Sequence, residues 1–297
     1  MVGKQERRYQ RMITVVLALI SLIMVIPLVL LVVASFTSNN EIVLHGYSFF
    51  PKELSLEAYR YIWNERAQVF HAYGITILVT AIGTTIGVMM TLLYAYVLAH
   101  EKFPGKTFLA FYLFFTMLFN GGLVPTYIMY TRYLHMKNTI PALIIPGLLM
   151  SAFNVILTRT YIQSNVPAAL SEAAKIDGAT EFQVFRKVVL PMCKPIIATV
   201  GLFAGLGYWN DWTNGLYYIT DTNKFSIQQL LNNMIKNIEF LSKNANSNIN
   251  LASVGGGIPQ ETVRMAIAIV GLLPFLIVFP FVQKYFVKGI SIGAVKG

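Results

Sequence analysis

The chain is short of charge. Asp, Glu, Lys and Arg make up 12% of its 297 residues, where a soluble domain carries about 25%. The deficit lies in long apolar runs: 56% of the residues are hydrophobic, and the mean hydropathy is +0.59. Cysteine is nearly absent. The lone Cys193 excludes a disulfide within the chain, and it reads as a small apolar filler. Histidine is scarce, and His45, His71, His100 and His135 make no metal-ligand spacing. No Ser-centred nucleophile elbow occurs. The run "FPGKT" ends like a phosphate-binding loop, but the position such a loop gives to its first glycine is His100. The alternating ten-residue strands of a membrane barrel are missing too. What remains is an all-α integral membrane protein, because lipid tolerates only backbones that satisfy their own hydrogen bonds.

A span needs about 20 apolar residues. Six runs are read as spans: 12–36, 71–99, 107–130, 139–161, 195–212 and 262–285, making residues 1–297 a single transmembrane domain. The first follows Lys4, Arg7, Arg8 and Arg11. Its apolar core is too long for a cleaved signal, and it reads as a signal anchor. With the N-terminus inside, the cytoplasmic segments hold 14 of the 23 basic residues and 5 of the 13 acids. That bias predicts both termini in the cytoplasm of a multi-pass bacterial plasma membrane protein. It also accounts for the net charge of +10 without nucleic acid. The middles of the six runs lack Asp, Glu, Lys and Arg, which argues against a secondary carrier driven by its own coupling ion. A stand-alone carrier or channel stays open, since unwound carbonyls can bind sodium. The loop 213–261, with "SKNANSNINLASVGGG" in it, reads as flexible or loosely packed.

One polar stretch interrupts the apolar runs, at 165–191 between the fourth and fifth spans. Pro167 suits an early helical position, and "AALSEAAKI" has high helix propensity. Gly178 follows, where a left-handed residue ends a helix at little steric cost. Thr180 and Gln183 have the spacing of a capping box, and Pro191 is expected to stop the second helix. Ala169, Ala173 and Ala174 make a small-residue face beside Glu172 and Asp177. Such a helix–turn–helix serves either as a docking element or as a plain interfacial loop.

The stretch resembles the cytoplasmic signature of permease subunits of binding-protein-dependent ABC importers. Glu172-Ala173-Ala174, three residues, Gly178, nine residues, Val188 in place of Ile, and Leu190-Pro191 follow that signature in order. The C-terminal "YFVKGISIGAVKG" looks like carbohydrate-importer permeases, and "FNGGLVPTYIMY" is similar to the branch handling oligosaccharides or complex glycans. The resemblance implies the type I ABC importer permease fold, with six transmembrane helices and a cytoplasmic coupling helix between helices 4 and 5. It implies that Glu172, Ala173, Ala174, Asp177, Gly178, Leu190 and Pro191 couple to the ATPase. It further implies a non-catalytic subunit that holds half of the translocation pathway and no cofactor, with ATP and Mg bound by partners. Those partners would be a second, homologous permease in a heterodimer, two ATPase subunits and an extracellular solute-binding protein. An ABC permease for a non-sugar solute is the nearest alternative.

Candidates for sugar contact are Tyr208, Trp209, Asn210, Asp211, Trp212 and Tyr217 in "YWNDWTNGLYY", with Asn120 and Asn154 inside the third and fourth spans. The aromatic group could equally be an interfacial belt with Asn210 and Asp211 as caps. Asn120 could line the pathway or bond a neighbouring helix.

Overall fold

The computed structural model describes residues 4–100, 103–245 and 260–293. Fifteen α-helices are formed among them, and the only β pairing there is an antiparallel bridge between Thr37 and Leu54. The chain divides into two bodies, residues 1–69 with 231–274 and residues 70–230 with 275–297.

In the first body, α1 (Lys4–Ser35) leaves nearly all its apolar side chains exposed. An uncovered Leu/Ile/Val helix of this length is stable in hydrocarbon and not in water. Its C-terminal end is tied down. The Phe36 ring stacks on Tyr59 at 4.8 Å, and Ser35 shares a 2.8 Å hydrogen bond with the Tyr59 hydroxyl. Short helices α2 (Asn39–His45) and α3 (Glu57–Asn64) follow.

The second body starts in α4 (Arg66–Ala99), a 34-residue helix. Then come α5 (Lys106–Leu118), α6 (Leu123–Ile128), α7 (Pro141–Ile144), α8 (Ala152–Asn165) and α9 (Ala168–Ile176). Next are α10 (Glu181–Val184), α11 (Leu190–Met192), α12 (Lys194–Trp209) and α13 (Thr213–Tyr218); α14 (Ile227–Ala245) belongs to the first body from Leu231 on, and α15 (Gln260–Gly293) belongs to it as far as Pro274 and to the second body from Phe275. One buried cluster joins Leu92, Ala95 and Leu98 of α4 to Val155 and Ile162 of α8, to Val184, Phe185 and Val189, and to Cys193, Ile196 and Val200. Cys193 is fully buried there, as expected of an apolar filler.

Three stretches, Arg8–Ser35, Arg66–Ala99 and Gln260–Ile277, are long and apolar enough to cross a membrane as single helices. The expected third span, 107–130, is instead two helices bent by 115°. Asn120 causes the break: its side-chain oxygen accepts the Gly122 N–H at 2.9 Å, and Gly122 takes a left-handed φ of +83°. The expected fourth span, 139–161, is also interrupted. Proline begins α7, and residues 145–151 are not helical, with Gly147 at φ +71°. Before α12, Pro191 does not end the helix. The backbone widens to a π turn over Phe185–Val189 and continues through Met192. Proline has no N–H to donate and crowds the carbonyl four residues back, and a wider turn relieves both. The chain bends by 81° where α11 meets α12, around Cys193.

Residues 213–245 are more ordered than the composition of the 213–261 loop suggests. Helix α14 buries Ile227, Leu230, Leu231, Met234 and Ile238, an apolar stripe at helical spacing. Most of "SKNANSNINLASVGGG" lies outside the described residues.

Candidate functional site

The polar stretch folds from its own local signals. Pro167 is extended (φ −62°, ψ 129°) and immediately precedes α9. At the other end of α9, the Gly178 N–H donates to the Lys175 carbonyl and the Ala179 N–H to the Ala174 carbonyl, at 3.0 and 2.9 Å. This pair of bonds is a Schellman closure, and it needs a left-handed residue at Gly178, where φ is +83°. Two residues on, the Thr180 N–H donates to Gln183 Oε1 at 2.8 Å, and the Gln183 N–H returns to Thr180 Oγ1 at 3.4 Å. The capping box read from the sequence is therefore formed.

The two halves of this loop differ in burial. Beyond Gly178, Val184, Phe185 and Val189 are buried in the main cluster, and Val188 and Leu190 pack at its edge. Helix α9 buries no residue. Glu172, Ala173, Asp177 and Gly178 are exposed on it, Ala174 is half-buried, and Pro191 is exposed further on. Ile176 is 87% exposed and Phe182 66%. Large apolar groups left open in this way mark an interaction surface, for another protein or for the membrane.

Glu181 ties the two halves together and to α4. Its carboxylate pairs with Lys175 of α9, accepts the Tyr96 hydroxyl at 3.0 Å, and lies 3.8 Å from His100 Nε2. The Lys175 hydrogen bond is the chief reason that this carboxyl is held below its ordinary range; the Tyr96 bond adds to it, and slight burial opposes it. Sequence reading missed this node, because Tyr96 and Glu181 are 85 residues apart and carry no shared pattern.

The candidates for sugar contact are dispersed by the fold. Tyr208 is buried, and its hydroxyl donates to the Ile144 carbonyl at 2.9 Å. Asn210 donates to the Leu206 carbonyl at 3.1 Å at the end of α12. Asp211 accepts the Thr213 and Asn214 N–H groups at 3.0 and 3.2 Å, at the start of α13. Trp209 lies 6.3 Å from the Tyr73 ring, Trp212 is 43% exposed, and Tyr217 packs beside the cluster of Tyr208 and Tyr218. Asn120 is exposed at the break it makes. Asn154 is buried on α8 and lines a cavity between α4, α8 and α12. A second polar centre escaped sequence reading: Asn138, at φ +59°, accepts three bonds from Thr220 and Asp221 through its side-chain oxygen.

Long apolar helices and an ordered polar loop packed against their core are the features of a helical membrane protein. The chain belongs to the binding-protein-dependent transport system inner membrane component family, which it matches over residues 83–292. It is therefore a membrane permease of a solute-binding-protein-dependent importer, and that membership does not favour a stand-alone carrier or channel. It is similar to the polygalacturonan/rhamnogalacturonan transport system permease protein YtcP of Bacillus subtilis (strain 168). The two are 35% identical over 293 residues, which is 99% of this chain and 100% of the relative. Protein LplC of the same organism is 34% identical, over 93% of this chain and 90% of its own. The structure resembles a bacterial ABC transporter involved in the import of the acidic polysaccharide alginate. There the TM-score is 0.75 at 27% identity, over 96% of this chain and 99% of the other.

Proposed function

We propose that this chain is half of the translocation pathway of an ATP-driven importer for a sugar or oligosaccharide delivered by an extracellular binding protein. The likeness to a permease for polygalacturonan and rhamnogalacturonan over 99% of the chain carries this reading. In it the chain crosses a bacterial plasma membrane six times with both termini in the cytoplasm, the bent pair α5–α6 serving as the third span and α7–α8 as the fourth. A second, homologous permease completes the pathway. The chain itself is not catalytic; two partner ATPases bind ATP and Mg.

Residues 172–191 are the coupling element. Glu172, Ala173, Ala174, Asp177 and Gly178 face the ATPase, and Leu190 and Pro191 join the element to span five. Two observations support this role: an α9 that buries nothing, and a second half anchored in the core. A force applied to the loop therefore has a rigid path into α4 and α8. Gly178 has open space around it, but its φ of +83° strains any other residue.

The test is to make Gly178→Val and Glu172→Lys and to measure co-purification with the ATPases together with ATP-dependent uptake. The coupling role predicts loss of both. Full assembly and uptake in the two variants sinks it.

A further inference from the structure

Few side chains join α9 to the rest of the second body. The helix buries no residue, and of its side chains the Ala174 methyl packs at the edge of the main cluster. Lys175 is the one α9 side chain with a hydrogen bond or ion pair among the described residues, and its partner is Glu181 Oε1. The other oxygen of that carboxylate, Oε2, accepts the Tyr96 hydroxyl at 3.0 Å. Tyr96 stands in the last turn of α4 and is 9% exposed. Its ring lies 5.2 Å from Phe185 and 4.6 Å from His100. A single carboxylate thus bridges two helices, one oxygen to each. Lys175, Glu181 and Tyr96 all belong to the second body.

The order of the loop does not require this bridge. The Schellman closure and the capping box fix the backbone between α9 and α10 through residues 174–183. The Glu181 side chain is 61% exposed, and an exposed ion pair adds little to folding. What the bridge adds is a direct connection. Without it, α9 reaches α4 through the Ala174 methyl and, by way of the backbone, through the π turn that carries Phe185. Hydrogen bonds weaken steeply with distance and misalignment, so two in series through one carboxylate pass a displacement of α9 to α4. From Tyr96 the helix runs back to Thr91 and Gly87, which wall the cavity that Asn154 lines.

We infer that Glu181 is a positioning residue for energy transfer: it locks Lys175 of α9 to the Tyr96 hydroxyl of α4, so that movement of α9 reaches the cavity. This rests on the coupling reading of residues 172–191 and adds the route by which the movement leaves them.

The experiment uses the assembled importer, with partner permease, ATPases and binding protein, reconstituted in vesicles. Ser151 lines the cavity and is exposed, so the rate at which a Ser151→Cys importer reacts with a maleimide reports on it. The native Cys193 is fully buried and gives little background. The rate is measured with and without ATP, beside ATP hydrolysis. With the bridge intact, ATP should change the rate. No change overturns the coupling reading and this inference together.

Tyr96→Phe, made in the Ser151→Cys importer, keeps the ring contacts with Phe185 and His100 and removes the hydroxyl alone. It should co-purify with the ATPases and hydrolyse ATP as before. The effect of ATP on labelling should shrink by up to about fivefold, the worth of one hydrogen bond. Glu181→Ala removes both ends of the bridge and should lose at least as much. Tyr96→Phe added to Glu181→Ala should lose nothing further, because both act on one connection. An undiminished ATP effect in Tyr96→Phe and in Glu181→Ala overturns the bridge and leaves the coupling reading standing. Full additivity in the double variant does the same. Failed assembly of Tyr96→Phe also overturns the bridge, since the hydroxyl is then a structural group.

Discussion

Replacing Gly87 by alanine adds one methyl group where α4 passes the broken fourth span. A Cβ built at Gly87 stands 2.6 Å from the Leu149 carbonyl oxygen, well inside the 3.4 Å at which ordinary contact begins. The neighbour is backbone, so no side-chain rotation relieves it. Either α4 or residues 145–151 must move, and forced overpacking of this kind costs about 1–3 kcal/mol. Gly74 is the control. It lies on the same helix with nothing within 4 Å of its added Cβ, so Gly74→Ala should gain up to about 1 kcal/mol of helix propensity. The assay is thermal unfolding of the purified protein in detergent, followed by sugar uptake in the assembled importer. Gly87→Ala should unfold earlier and transport poorly, because the irregular stretch it displaces walls the cavity that Asn154 lines. Gly74→Ala should match or exceed wild type. A Gly87→Ala protein as stable as wild type, or equal damage from Gly74→Ala, refutes the close-approach argument.

Other outcomes follow from the same contacts. Gly83→Ala should also destabilise, since its methyl would meet the Tyr208 ring, which is held in place by its bond to the Ile144 carbonyl. Glu181→Gln should cost about 1 kcal/mol at pH 7, the scale of an exposed ion pair with one added hydrogen bond. The carboxyl is held below its ordinary value of 4.5 by Lys175, so this stabilisation is present above that value and is lost as pH falls through the lowered one. The gap between wild type and variant in unfolding temperature should therefore close in acid; a gap independent of pH contradicts the ion-pair account. Asn138→Ala should lose about 1–3 kcal/mol, from several lost bonds and a left-handed residue that alanine tolerates poorly. Asn138→Gly should recover only the backbone part, and thermal unfolding distinguishes the two.

What the amino-acid order revealed in advance was mostly local. The Thr180–Gln183 box and the left-handed Gly178 lie within a few residues of their partners, and both form as expected. The breaks at Asn120–Gly122 and at 145–151 were hidden because a hydropathy run measures composition and not continuity. "NGGLVP" and Pro146-Gly147 carried the signal, overridden by their apolar flanks. Helix α14 was masked by Asn and Gln between its apolar positions. Glu181 with Tyr96, and Gly87 with Leu149, depend on chain segments distant in sequence, and no period or motif announces such pairs.

The Schellman closure and capping box on either side of Gly178 have a consequence for association. Each fixes backbone that a free loop would leave to wander, and fixing one residue costs roughly 1–2 kcal/mol. Here that ordering comes from bonds within this chain alone. In the proposed coupling role, an ATPase docking on α9 would meet a surface already ordered, and little of the interaction would be lost to freezing the loop in place. The thermodynamic signature should be a binding enthalpy with little opposing entropy from the chain, and an on-rate set by encounter instead of by folding.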